Sequence, residues 1–256
     1  MSNISPIDGR YKKNVSELET FFSEQALMRH RVMVEVEYLL ALVEHKSFQK
    51  TRSLSKKTLK SLKGLYVEFS ATHFKQIKKI EKKTNHDVNA VVVFVSEKLK
   101  KIGRDDLVPF VHFGLTSEDI NNISYSLMTR GAVESVMIPS VKGVLKELKA
   151  LSKKTKSLSL LSLTHGQPAT TTTLGKELAV FVSRVEREIA LIKKMKLLAK
   201  LSGATGSYAA HKVAFPDFNW PLFSKKFIKK LGLEQSPIST QVCLLYTSPS
   251  PRDKRQ

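Results

Sequence analysis

Along most of this chain apolar residues recur at intervals of three and four, which is the spacing of one face of an α-helix. The first such series predicts a helix that ends at about His45. Ser16 and Glu19, at capping-box spacing, are expected to form the start of this helical region. The predicted apolar face consists of Met28, Val32, Val36, Leu39 and Val43.

Two further helices and an ambiguous segment follow in the next fifty residues. Ser55 is a suitable cap for a helix that ends near Ser70, and a basic helix is expected from about His73 to Lys83. The run Thr84-Asn85-His86-Asp87 interrupts the pattern, and its Asn or Asp can cap the next helix. The segment Val91–Val95 has strand propensity, but the helical spacing continues through it, so a helix is predicted. That helical face carries Val88, Val91, Val92, Val95 and Leu99.

The second half of the chain is dominated by two long helices. Gly103–Pro109 marks a boundary, after which Thr116 or Ser117 can cap the first of them. Leu163–Thr173, interrupted by Pro168, is expected to form an irregular hinge between the two. Narrow apolar stripes predict bundle packing shared between subunits. The stripes are Met137, Val141, Val144, Leu148 and Leu151, then Leu174, Leu178, Phe181, Val185, Ile189 and Ile192.

Composition narrows the classes of function. The 256 residues carry 43 Lys and Arg against 23 Asp and Glu, a formal net charge of +20, and a single cysteine, Cys243. No disulfide or cysteine-based metal site is therefore expected, and no apolar run is long enough to span a bilayer. The N-terminus lacks a signal-peptide pattern, which favours a cytoplasmic location. The lysines are spread along helices, which favours solvated faces but leaves nucleic-acid binding open.

His165 is the strongest candidate for chemistry that the residue pattern offers. It lies between Thr164 and Gly166, where an imidazole can be exposed and hydrogen-bonded, as a general acid or base requires near neutral pH. A loop histidine that merely bonds the neighbouring threonines is the alternative. The small-residue loop Ser202–Ser207 could bring backbone amides to a ligand, although such a loop is more often a simple turn.

Four stretches together resemble the bacterial adenylosuccinate lyases of the fumarase/aspartase superfamily. They are Ser5–Tyr11, Thr84–Val88, Thr116–Asn122 and Thr164–Thr170. The resemblance implies an all-α fold, with an N-terminal helical domain followed by the first part of a long-helix bundle that forms a homotetramer. It also implies elimination of fumarate from adenylosuccinate, and from the related imidazole-carboxamide ribotide of purine biosynthesis, without metal or organic cofactor. Another lyase of the superfamily, or a basic helical nucleic-acid-binding protein, is the alternative.

The same resemblance assigns roles to individual residues. It implies that His165 is the general acid that protonates the departing nitrogen, and that His86 is a second catalytic histidine. Thr116 and Ser117, at a helix N-terminus, would hold one carboxylate of the succinyl group. The other residues implied to bind substrate are Arg10, Tyr11, Asn85, Asp87, Thr164 and Gln241. Helix capping is the alternative interpretation for His86, Asp87, Thr116 and Ser117.

The resemblance ends at Gln241. Residues 242–256 have no helical period, carry two prolines and resemble translated adaptor sequence. The expected domains are therefore residues 1–110 (N-terminal helical domain), 111–241 (partial helix bundle) and 242–256 (non-family tail). The family's mobile loop that carries the catalytic base is missing from this sequence, so this polypeptide by itself is expected to be inactive.

Overall fold

The computed structural model describes residues 5–45, 47 and 54–242. The described residues up to Arg130 and from Leu197 onwards form one compact unit, and Gly131–Lys196 form a second. Both units are mainly helical, which confirms the all-α prediction. The domain boundary predicted at residue 110 stays a prediction, and residues 243–256 of the predicted tail lie outside the described residues.

The first unit is built around a helix that is buried on all sides. Its early elements are α1 (Glu19–Phe22), α2 (Glu24–Glu44), α3 (Lys56–Val67), α4 (Ala71–Thr84), α5 (Asp87–Lys101) and 3-10 turns at Lys12–Asn14, Ser16–Leu18 and Asp105–Phe110. The predicted apolar face of α2 is confirmed, since all five of its residues are at most 3% exposed. Val34, Tyr38, Leu40 and Leu42 on other faces are equally buried. Burial on every side is typical of a helix at the centre of a core.

The N-terminal caps differ in part from the predictions. Ser55 caps α3 as predicted, but the capping box at Ser16 and Glu19 is wrong, because Ser16 lies in a 3-10 turn. Ser23 performs that function instead: its backbone is extended, and its hydroxyl accepts the amide of Ala26 at 3.1 Å. The extended residue separates α1 from α2, so the helix begins later than the spacing suggested.

The valine-rich segment is helical, as the spacing predicted. α5 buries Val88, Val91, Val95 and Leu99 against the core, and Val92 is partly buried. A face at helical spacing therefore outweighs the strand propensity of consecutive valines. The predicted caps were wrong here: Asn85 ends α4 with a left-handed φ of 51°, and His86 caps α5.

The two long helical segments are confirmed, but the buried stripes are shifted. α6 (Ser117–Ala132) leads through a π-helical turn at Val133–Met137 into α7 (Ile138–Lys154), and α8 (Leu174–Lys194) follows later. Within the second unit α7 and α8 pack through Ile138, Leu145, Val182 and Ile189. Met137, Val144, Leu151 and Phe181, predicted to be in the seam, are exposed. Each apolar stripe is wider than the surface that one neighbouring helix can bury. Within this unit, therefore, only one side of each stripe is buried.

The predicted irregular hinge is wrong, because Ser159–Thr173 forms a β-hairpin. Strand β1 (Ser159–Thr164) pairs antiparallel with β2 (Gln167–Thr173), and a bulge lies between Leu161 and Leu163. Pro168 is accommodated because both strands of a two-stranded sheet are edge strands, where a missing N–H is tolerated. The turn is formed by His165 and Gly166 alone, with φ values of 51° and 74°, as a type I′ turn requires.

The base of the hairpin is tightly fixed. The amide of Leu174 donates to Leu158 O, and the amide of Gly175 donates to Thr155 O, so α8 begins directly against the end of α7. Ser152 Oγ also donates to Gly175 O at 2.6 Å. A Cβ at Gly175 would lie 2.4 Å from Ser152 O, so only glycine permits this close approach.

The chain then returns to the first unit through short elements. They are β3 (Leu198–Ala199), α9 (Ala209–Ala214), α10 (Trp220–Lys230) and β4 (Glu234–Gln235), with β3 parallel to β4. Trp220 is buried in the core, where it packs with Phe218 and Phe223. Among the described residues no helix is both long and apolar enough to cross a bilayer.

His211 of α9 is a fully buried histidine that the core keeps neutral. Tyr38 Oη donates to Phe113 O, so the contact of 3.1 Å between Tyr38 Oη and His211 Nε2 requires the proton to be on Nε2. Nδ1 then has a lone pair without a partner among the described residues. The ring packs against Trp220 at 4.5 Å between centroids, and a Cβ on Gly114 would clash with it. Protonation would place an unpaired N–H in this apolar contact.

We expect the first unit to lose stability in acid through His211. Burial lowers the pKa of His211 to about 4, below the 6.5 of the unfolded chain. The unfolded state therefore binds the extra proton first, and stability falls as the pH drops from about 6.5 to about 4, by up to about 3 kcal/mol. Urea unfolding at pH 7.0 and 4.5, followed by the fluorescence of the single tryptophan, measures this loss. His211→Gln should have a smaller loss between the two pH values, and an equal loss would contradict the assignment.

Candidate functional site

The start of α6 is the centre of the candidate site. Ser117 is the first helical residue, and the amide of Thr116 before it donates to Asp119 Oδ2 at 2.9 Å. The fixed Thr116 and Ser117 therefore stand at the positive end of a 16-residue helix. This is a position where an anion is stabilised by the helix dipole and by hydroxyl donors.

Asp119 fastens a second segment of the chain to this helix end. Its carboxylate also accepts the amides of Ser202 at 3.0 Å and Gly203 at 3.1 Å, and it pairs with Lys200 Nζ at 2.9 Å. The Asp119 and Lys200 side chains are both completely buried. Asn122 adds two bonds to the backbone of Lys200. The amides of the small-residue loop that could have met a ligand are thus used internally at Ser202 and Gly203.

His86 faces Ser117 across the site. Its Nε2 lies 3.5 Å from Ser117 Oγ, and its Nδ1 accepts the amide of Asn89 at 3.2 Å. The amide donor requires an unprotonated Nδ1, so the proton of the neutral ring is on Nε2, directed at Ser117. Asp87 Oδ1 is 3.6 Å from the same Nδ1. The amide hydrogen bond determines the tautomer, because a proton on Nδ1 would leave the Asn89 amide without an acceptor.

Asp87 is held by a buried arginine that also holds α6. Arg31 Nη2 lies 2.7 Å from Asp87 Oδ2, and Arg31 Nε donates to Asn121 Oδ1 at 2.9 Å. Burial alone would raise the pKa of Asp87, but the charge of Arg31 and the Val88 amide outweigh it and lower that pKa. Asp87 is therefore a fixed carboxylate beside His86, and α2, α5 and α6 meet at one cluster.

The remaining predicted residues of the first unit lie outside this cluster. Arg10 stacks over the Tyr11 ring at 5.5 Å, and Asn85 occupies the left-handed end of α4. Gln241 follows a segment that packs on the small-residue loop: Ser202 Oγ lies 3.1 Å from Ser239 Oγ, and a Cβ on Gly206 would overlap Ser239 O. Among the described residues no hydrogen bond joins Arg10, Tyr11 or Gln241 to the cluster.

Thr164 and His165 belong to the second unit. Thr164 is the last residue of β1 and His165 the first residue of the turn, and both side chains are exposed. The structure thus brings together His86, Asp87, Thr116 and Ser117. The assignment of His165 to the same site stays a prediction.

Sequence reasoning missed three residues that hold the cluster in place: Arg31, Asn121 and Lys200. Arg31 stands in the run Arg29-His30-Arg31, which is typical of a solvated helix face. Lys200 is one of many lysines, and its acceptors, Asp119 and Gly203 O, are set by tertiary structure. The partners of Arg31 lie 56 and 90 positions along the chain, at Asp87 and Asn121. No local spacing could have indicated those contacts.

Comparison with known proteins shows the family of the chain. A sequence profile for a family described as lyase matches residues 9–244. The chain belongs to this lyase family. The match includes α2, α5 and α6, which carry the cluster, and the hairpin with His165.

Curated relatives of this lyase-family chain include three adenylosuccinate lyases. That of Buchnera aphidicola (subsp. Schizaphis graminum) is 40% identical over 243 residues, that of Escherichia coli K12 is 39% identical over 243, and that of Dictyostelium discoideum is 42% identical over 249. Each alignment covers 94% of this chain and 53% of the relative. The chain therefore spans about half the length of the curated relatives it matches.

Solved structures show the same fold at lower sequence identity. A fumarate lyase from Mesorhizobium sp. BNC1 superposes with a TM-score of 0.68 at 19% identity, over 88% of this chain and 49% of that one. A β-carboxy-cis,cis-muconate cycloisomerase from Acinetobacter calcoaceticus gives 0.66 at 21% identity, over 86% of this chain and 49% of that one. At this identity the likeness establishes the fold alone.

Proposed function

We propose that this chain is part of an adenylosuccinate lyase, which eliminates fumarate from adenylosuccinate and from the related imidazole-carboxamide ribotide in purine nucleotide biosynthesis. The observation that supports it most is the meeting of His86, Asp87, Thr116 and Ser117 at one helix end in a chain 39–42% identical to such lyases. That end supplies hydroxyl donors and a helix dipole for a carboxylate.

The chemistry requires charge stabilisation as well as proton transfer. Removing the proton beside a carboxylate places a second negative charge on that group, and donors fixed in advance lower the energy of this state. Thr116 and Ser117 are fixed in this way, since Asp119 holds the Thr116 amide and His86 lies against Ser117. In the proposal His165 protonates the departing nitrogen, and Arg10, Tyr11, Asn85, Asp87, Thr164 and Gln241 contact the rest of the substrate.

Proton abstraction needs a base that we do not assign to any residue of this chain. We therefore propose that the 256-residue chain alone does not release fumarate, whereas a longer chain that continues in frame past Gln241 does. Fumarate absorbance after addition of adenylosuccinate to each purified protein tests both statements. Turnover by the 256-residue chain would contradict the first, and an inactive longer chain that folds would contradict the second. Activity on argininosuccinate or aspartate instead would indicate another lyase of the superfamily.

We further propose that the longer protein is a cytoplasmic homotetramer. The second unit exposes large apolar side chains, whose contact with water is unfavourable in free energy. They include Val144, Leu161, Leu163 and Phe181, each more than half exposed. Sedimentation velocity of the longer protein should give a single tetrameric species, and a stable monomer would contradict this.

In the proposal the net charge of +20 reflects solvated lysines rather than a nucleic-acid or membrane partner. Fluorescence anisotropy with a labelled DNA duplex should show no binding at 150 mM salt. Tight binding that weakens steeply with salt would favour the nucleic-acid alternative.

A further inference from the structure

A buried arginine lies behind the carboxylate of Asp87 at the candidate site. The side chain of Arg31 on α2 is 3% exposed, whereas that of Asp87 is 45% exposed. Arg31 Nη2 lies 2.7 Å from Asp87 Oδ2, and Nη1 meets the uncharged sulfur of Met28 at 3.8 Å. Within the described residues Arg31 forms no second ion pair. Because a buried charge is costly without a counter-charge, Arg31 depends on Asp87.

The Asp87 carboxylate is close to the place where the anion is expected to bind. Asp87 Oδ1 lies 3.6 Å from Nδ1 of His86, and the other nitrogen of that ring lies 3.5 Å from Ser117 Oγ. One imidazole therefore separates the carboxylate from the hydroxyl, which is less than the screening length of about 10 Å at 0.1 M salt. An uncompensated charge on Asp87 would repel an anion bound at Ser117.

Protonation does not remove this charge at neutral pH. Burial by itself would raise the pKa of Asp87, but the charge of Arg31 and the amide of Val88 lower it below its ordinary value. The Val88 amide donates to Asp87 Oδ1 at 2.8 Å. The carboxylate is therefore ionised when a ligand arrives, and its charge must be offset in place. The buried Lys200 offsets Asp119 at the start of α6 in the same way.

Arg31 also has a contact that carries no charge compensation. Its Nε donates to Asn121 Oδ1 at 2.9 Å, which joins α2 to α6. If this contact were the whole role of Arg31, its loss would weaken the binding of every ligand alike. If charge compensation decides, the loss grows with the negative charge of the ligand. It also disappears when the charge of Asp87 is removed together with that of Arg31.

We propose that Arg31 is a positioning residue of this site that acts through Asp87: it cancels the charge of the carboxylate and fixes its place, so that a dicarboxylate or larger anion can bind at Thr116 and Ser117. Arg31 itself does not touch the ligand. The proposal deepens the function given above and rests on it for the identity of the substrate.

A double-variant cycle on the longer protein gives the first test. Arg31→Met should raise the KM for adenylosuccinate about tenfold, since the Asp87 charge then acts on the bound anion through a medium of effective dielectric constant near 20. Arg31→Met/Asp87→Asn should return KM to within about threefold of Asp87→Asn alone. Effects of the two substitutions that simply multiply, in variants folded by tryptophan fluorescence, would overturn the proposal.

Two further variants separate charge from structure. Arg29→Met is the matched control, because it removes the same charge from α2 two positions away, on a different face, and should leave KM unchanged. Arg31→Lys keeps the charge and loses the Nε bond to Asn121, so its KM should rise less than about threefold. This variant also decides the question if Arg31→Met does not fold. A tenfold rise in Arg31→Lys would show that the Asn121 bond is what matters.

Calorimetric binding to the longer protein gives a second test that does not depend on turnover. At low salt Arg31→Met should weaken fumarate binding about fivefold or more, and should weaken binding of monomethyl fumarate, which carries one charge fewer, markedly less. Equal weakening of both ligands would contradict charge compensation. Charge-dependent weakening without fumarate release by the unsubstituted protein would refute only the lyase assignment. An unsubstituted protein that binds neither ligand nor adenylosuccinate would refute both proposals.

Discussion

Replacing Lys200 by methionine is expected to lower the free energy of unfolding of the first unit by about 3–5 kcal/mol. Methionine fills similar space but leaves the Asp119 carboxylate buried without its counter-charge. Asp119 would retain the amides of Thr116, Ser202 and Gly203. Amide hydrogen bonds alone do not offset a buried negative charge. The loss would reach the candidate site directly, because Asp119 fixes the amide of Thr116.

Urea unfolding at pH 7, followed by the fluorescence of Trp220, measures this effect. Lys78→Met is a matched control, because Lys78 pairs with Glu24 at 2.6 Å in the same unit but on its surface. A surface pair of this kind contributes about 0–1 kcal/mol. A Lys200→Met protein as stable as the control variant would show that the buried pair contributes little, and that the loop from Lys200 to Gly203 is held by other contacts.

The second large effect is expected at the hairpin turn, where His165→Asn should reduce fumarate release by the longer protein about 10²–10⁴-fold. Asparagine cannot protonate the departing nitrogen. It is, however, favoured before glycine in a type I′ turn, and His165-Gly166 is such a turn. The substitution therefore removes the proposed acid while it preserves, or improves, the local backbone preference.

The effects of His165→Asn on fumarate release and on stability are measured separately. Circular dichroism melting should give His165→Asn a midpoint equal to or above that of the unsubstituted protein, while the activity assay shows the loss. Thr171→Ser in the adjacent strand is a control that should leave both nearly unchanged. Full activity in His165→Asn would exclude the imidazole as the proton donor, and the proposed mechanism would then need another acid.

The helices could be predicted from the sequence because their apolar positions repeat with the helical period. The same pattern overrode the strand propensity around Val91–Val95, and α5 confirms that choice. The β-hairpin was missed, since Pro168 and a His-Gly pair suggested irregular structure. A type I′ turn requires two residues with positive φ, and histidine is not a residue from which such a turn is usually predicted.

The candidate site was predicted only in part, for a physical reason. His86, Asp87, Thr116 and Ser117 were named through the resemblance to a family, and the structure brings these four together. Arg31 and Lys200 were not named, because a charged residue is expected at the surface unless its partner is known. Each partner here lies far along the chain, and burial of the pair becomes visible only when the helices have packed.

The hairpin that carries His165 in its turn is held at its base, where Gly175 packs closely against the end of α7. Seven residues of β2 extend about 23 Å at about 3.3 Å per residue, so a tilt of about 3° at Gly175 moves the imidazole by about 1 Å. The close packing at Gly175 limits this tilt but does not prevent it. The hairpin exposes Leu161 and Leu163. A neighbouring surface that packs on these two side chains would reduce the tilt. In the proposed mechanism, a precise position of the His165 imidazole therefore requires packing contacts along the hairpin in addition to those at Gly175.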